Sequence, residues 1–146
     1  RKETLQENLI KLFYFSFLFI SISFAFAKPA LFLLNPVYDV AVLVVIFISL
    51  YSFVKIIGNA FYIALQGIEK VDTKQSTQKD YLKSKLFFLP SIKLIRRVVY
   101  LSILSIGLIL LMNLEASNID LVIYWSIILF IVEIPFTVYF YYLVRK

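Results

Sequence analysis

Ile119–Val144 reads IDLVIYWSIILFIVEIPFTVYFYYLV, and this stretch decides the fold. The hydrocarbon core of a bilayer, about 30 Å thick, takes about 20 apolar residues of helix to cross. This run is long enough, and past Asp120 its one charged residue is Glu133. Three further blocks share its character. Leu9–Ala27 (LIKLFYFSFLFISISFAFA) is the first, and Val37–Ile57, with an apolar continuation to Leu65, is the second. The third is Val98–Leu114, which reaches full length only if it starts near Ile92. That start brings Lys93, Arg96 and Arg97 to the interface, where long cationic side chains can snorkel.

Strands are the competing reading, because Phe13, Phe15, Phe17 and Phe19 alternate in period two. The residues between them are not a polar lumen face, and a barrel needs at least about eight strands. Helices satisfy their own backbone groups in lipid, which isolated strands do not. The predicted class is all-α: a polytopic membrane protein of four transmembrane helices in a bundle, both termini cytoplasmic. The helices are expected over about 9–27, 37–57 with an interfacial extension to 65, 92–114 and 119–144. A basic cytoplasmic loop, 66–91, joins the middle pair, and the whole is one domain.

Composition agrees. Hydrophobic residues make up 62% of the 146 and charged residues 16%, whereas soluble domains are about 45–50% apolar. A water-soluble fold of this size cannot hide so much apolar surface. Cysteine and histidine are both absent. That excludes disulfide scaffolds, thiol chemistry and His-ligated zinc or haem. The expectation is no catalytic residue, no cofactor and no metal site.

Punctuation fits the blocks. Pro29 and Pro36 bracket the turn after block one, and Pro90 precedes block three. Leu114–Asp120 is polar enough to turn, with Asn118 or Asp120 as a cap for block four. The first 27 residues also have the layout of a secretory signal, ending in Ala25-Phe26-Ala27. We expect them to be retained as the first helix.

Charge sets the topology. Eight of the 15 Lys and Arg lie between Lys70 and Arg97, three near the N-terminus and two at the C-terminus. Threading four helices puts these thirteen on one side and Lys28 alone on the other, beside Asp39, Glu115 and Asp120. Cytoplasmic loops collect Lys and Arg. Tyr124 and Trp125 then join the outer aromatic belt, and Tyr139, Tyr141 and Tyr142 the inner one. Lys83, Lys85, Lys93, Arg96 and Arg97 are candidates to touch anionic lipid headgroups. Nothing beyond charge suggests nucleic acid, so none is expected as a partner. Gly58–Ile68 and Tyr81–Leu89 are amphipathic and expected along the inner surface.

Polar residues fall into helical stripes: Ser16, Ser23 and Ala27 on block one, and Ser52, Lys55, Asn59, Tyr62 and Gln66 on block two. Ser102, Ser105 and Asn113 mark block three, and Ser126, Glu133 and Thr137 block four. Small and polar faces let membrane helices approach and bond. Glu133 stands apart, because it lies about 20 Å from the outer surface at 1.5 Å per residue. An acid at that depth rarely faces lipid. Pro135, two residues on, removes a backbone donor and is expected to kink the helix. Lys55 lies about 24 Å down block two. It either snorkels to the inner headgroups, the simpler reading, or pairs with Glu133. Glu133, Lys55 and Asn59 are therefore the candidate ion or proton site.

Three functions remain open. The first is a non-catalytic integral membrane subunit that packs within or stabilises a larger membrane complex. The second is a small oligomeric ion or proton channel or transporter using Glu133. The third is a holin-like, effector or immunity membrane protein. The expected partners are the lipid bilayer and other membrane subunits, or further copies of the chain.

Overall fold

A computed structural model describes residues 2–68 and 85–145. Among them the chain is all-helical, in four long helices and one short turn of 3-10 helix. Helix α1 spans Lys2–Leu34, and the 3-10 turn spans Pro36–Ala41. Helix α2 spans Val42–Ile68, α3 Lys85–Asn113 and α4 Asn118–Arg145. All four are long and apolar enough to cross a membrane.

The helix ends differ from the sequence expectation for local reasons. Pro29 and Pro90 lie inside α1 and α3 rather than in loops. Proline removes one donor from the ladder but already has a helical φ, so a long apolar helix can run through it. Asn35 performs the turn instead, accepting a hydrogen bond from the Val37 amide at 3.0 Å. Helix α2 runs unbroken through Gly58–Ile68, which was expected along the inner surface. Of the expected loop 66–91, residues 66–68 belong to α2 and 85–91 to α3, while 69–84 lies outside the described residues.

The polar turn at Leu114–Asp120 is built from two motifs. Helix α3 ends with the Ala116 amide on the Leu111 carbonyl and the Glu115 amide on that of Met112. This is the Schellman pattern, which demands a left-handed residue. Glu115 supplies it at φ 54°. Helix α4 is then capped by Ser117, not by Asn118, which is the first helical residue. The Ser117 hydroxyl accepts from the Asp120 amide at 3.3 Å, and the Asp120 carboxylate accepts from the Ser117 amide at 3.2 Å. That reciprocal pair is a capping box closed by Asp rather than Glu.

Helices α2 and α4 form the central pair. Their contacts advance together along both chains: Phe47 meets Phe130, Val54 meets Thr137, and Phe61 meets Tyr141. The two helices therefore run parallel. Gly58 makes the close approach possible, because a Cβ there would stand 2.6 Å from the Thr137 hydroxyl. Helix α1 packs antiparallel on α2, and α3 packs antiparallel on α4. Among the described residues α1 makes no close backbone approach to α3 or α4. The helices thus lie in the order α1, α2, α4, α3, with α3 leaning back to meet one end of α2.

That end holds the main apolar core, where Leu65, Leu89, Ile92 and Phe140 are buried together. Leu65 sits there because α2 continues past Ile57. Elsewhere the expected stripes behave unevenly. Among the described residues Ser16 and Ala27 are the buried ones of α1, and Ser126 and Glu133 are buried in α4. Ser102, Ser105 and Asn113 are exposed. The α3 face is set instead by Leu89, Ile92, Arg96, Tyr100 and Gly107, a three-four spacing that places them on the α4 side.

Candidate functional site

A cavity of about 230 Å³ opens between α2, α3 and α4. Each helix offers one face to it. Tyr51 and Lys55 stand one turn apart on α2, as do Arg96 and Tyr100 on α3 with Arg97 beside them. Leu129, Val132 and Glu133 share the inward stripe of α4. Residues three or four apart meet on one helix face, which is why these side chains converge.

Glu133 is 5% exposed and accepts a hydrogen bond from the Arg96 guanidinium. The pair joins α3 to α4 across the wall of the cavity. Its side chains are 17% and 7% exposed, so water screens it little. The partner of Glu133 is thus Arg96, and not Lys55, whose pairing with Glu133 was the second of its two readings. Lys55 stands over its own helix neighbour Tyr51, with Nζ 5.0 Å from the ring centroid. Among the described residues Lys55 and Arg97 have no carboxylate within ion-pair distance. The cavity therefore carries three cations against one carboxylate.

The other expected site residues are dispersed. Asn59 is exposed on α2 and does not line the cavity. Pro135 lies within α4, and it borders a separate apolar groove with Phe88, Ile92 and Tyr139. Lys93 is held over the Tyr62 ring, 3.3 Å from its centroid, and that hydroxyl accepts from Gln66 at 3.1 Å. Lys83 lies outside the described residues, as does the side chain of Lys85. Of the five headgroup candidates, Arg96 turns into the helix seam and Arg97 stays exposed at the cavity rim.

Sequence reasoning missed Arg96 as the partner, and missed Tyr51 and Tyr100. Depth alone favoured Lys55. Arg96 lies about 26 Å along α3 from Asn113, roughly a turn away from Glu133, and a guanidinium reaches across that gap. Tyr100 was legible as the residue one turn from Arg96. It accepts a hydrogen bond from the Trp125 indole at 2.7 Å, a second polar tie between α3 and α4. The Tyr124 hydroxyl donates to the Ile103 carbonyl at 2.9 Å, a third. Its ring crosses α3 at Gly107, where a Cβ would overlap it.

Among the described residues no three His, Cys, Asp or Glu lie close enough to hold a metal. Comparison with models of known families, with curated proteins and with solved structures finds no match.

Proposed function

We propose that the chain is a non-catalytic, multi-pass membrane subunit that packs within or stabilises a larger membrane complex. The supporting observation is where its polar groups go. Arg96–Glu133, Tyr100–Trp125 and Tyr124 on Ile103 each tie α3 to α4, and Thr137 reaches Val54 from α4. Polar contacts of this kind fasten helices in lipid, where burying apolar side chains gives no drive to associate. The open flank of α1, where Phe15, Phe17, Phe19 and Phe26 are exposed, is left for lipid or a partner helix. In this reading all four helices span the bilayer and both termini are cytoplasmic, which the distribution of Lys and Arg supports.

Glu133 as a carrier of cations or protons is the weaker reading. A cation entering the cavity would meet Lys55, Arg96 and Arg97 together, with the carboxylate already engaged. The deciding experiment is gentle detergent extraction from the native source, followed by native mass analysis. Recovery with other membrane proteins at fixed stoichiometry is expected. Recovery as a homo-oligomer or a monomer overturns the subunit reading.

A further inference from the structure

The cavity between α2, α3 and α4 holds more positive charge than its structural role explains. The Arg96–Glu133 pair suffices to tie α3 to α4. Lys55 and Arg97 then bring two further cations to the same small space. Cations gathered in one small site repel, and each favours an anion beside it. We propose that this cavity is a binding site for a phosphate-class oxyanion, held by Lys55 and Arg97 against the wall formed by Arg96 and Glu133.

Four features shape the choice of ligand. The volume, about 230 Å³, is below the roughly 300–1,000 Å³ of pockets that take drug-sized molecules. A small anion or one headgroup suits it. Guanidinium and ammonium groups together match the spread charge of phosphate oxygens, the fork of Arg giving direction and Lys a point charge. Arg97 is exposed at the rim, so the site is open on one side. In the membrane orientation proposed above, Lys55 and Arg97 both fall about 24 Å from the outer boundary, close to the inner headgroups. Basic pockets between helices at that level take lipid phosphates. A free phosphate offers the same oxygens, and the experiment separates the two sources.

Trp125 is the one tryptophan of the chain and bonds to Tyr100, which lines the cavity. Its emission reports occupancy. Inorganic phosphate is titrated into the protein in neutral detergent. In parallel, phosphatidylglycerol is raised stepwise in phosphatidylcholine nanodiscs holding the protein. A saturable change is expected in at least one arm. Response to phosphate in detergent identifies a soluble anion, and response to phosphatidylglycerol alone identifies the headgroup. The double variant Lys55→Gln/Arg97→Gln should bind about tenfold more weakly. The charge-matched Lys11→Gln/Arg145→Gln, on cations that do not line the cavity, should change affinity by less than about twofold. If the first double variant fails to fold, Arg97→Gln alone carries the test, with a loss of about threefold. The site rests on the membrane reading, but the detergent arm does not depend on insertion. No saturable response in either arm, or an equal loss in both double variants, overturns the proposal.

Discussion

Glu133 is the residue on which the interior turns. A carboxylate that is 5% exposed needs a partner, and Arg96 provides it from the next helix. Removing one member of a buried pair leaves the other charge stranded, which costs about 3–5 kcal/mol, whereas replacing both with apolar residues is often neutral. Arg96→Gln should therefore destabilise the protein by about 3 kcal/mol in a reversible detergent-unfolding titration. Arg96→Met combined with Glu133→Leu should regain most of that loss. A double variant no more stable than the single one would show that the pair is not an isolated unit. The sequence made Glu133 conspicuous, as a lone acid deep in an apolar run. It did not reveal Arg96, because an ion pair between helices depends on how each is rotated, and the nearest match in depth was Lys55.

At the scale of elements, the four apolar blocks were legible because each is a continuous run with its own length. Their ends were not, since Pro29 and Pro90 punctuate a sequence without stopping a helix that has no other reason to end. What stops α3 is the Schellman turn, and there Glu115 occupies a left-handed position at φ 54°. Such a conformation costs an L-residue with a side chain about 1 kcal/mol, which glycine avoids. Glu115→Gly should raise thermal stability by about that amount, measured by circular dichroism in detergent. A fall would mean that the Glu115 side chain does something the turn does not explain. The face of α3 was likewise misread from its serines. Its position against α4 follows from Gly107, the gap into which Tyr124 fits. Gly107→Ala should cost about 1–3 kcal/mol by overpacking. The cost should nearly vanish in a Tyr124→Ala background, and a double-mutant cycle measures the difference.

For the whole molecule, charge and packing agree on one consequence. Helices α2 and α4 lie side by side and parallel, although α3 separates them in the chain. A chain that crosses the bilayer once per helix sends its second and fourth spans the same way. The parallel pair is therefore what four successive crossings produce. The orientation proposed above, with both termini cytoplasmic, follows from the thirteen cations that fall on one side of such a threading. On the opposite side Lys28 lies 3.7 Å from Asp39 in an exposed contact, and Glu115 and Asp120 leave that face net negative. The chain contains no cysteine, so every thiol in a labelling experiment is one that was introduced. Tyr38→Cys and Ala116→Cys, in the two turns on the sparsely charged side, should react with an impermeant maleimide in intact cells. Glu7→Cys and Arg145→Cys should react only after permeabilisation. The reverse pattern would invert the topology while leaving the helix packing intact. Labelling of Tyr38→Cys without Ala116→Cys would mean that α3 and α4 do not cross, and the parallel pair would then need another cause.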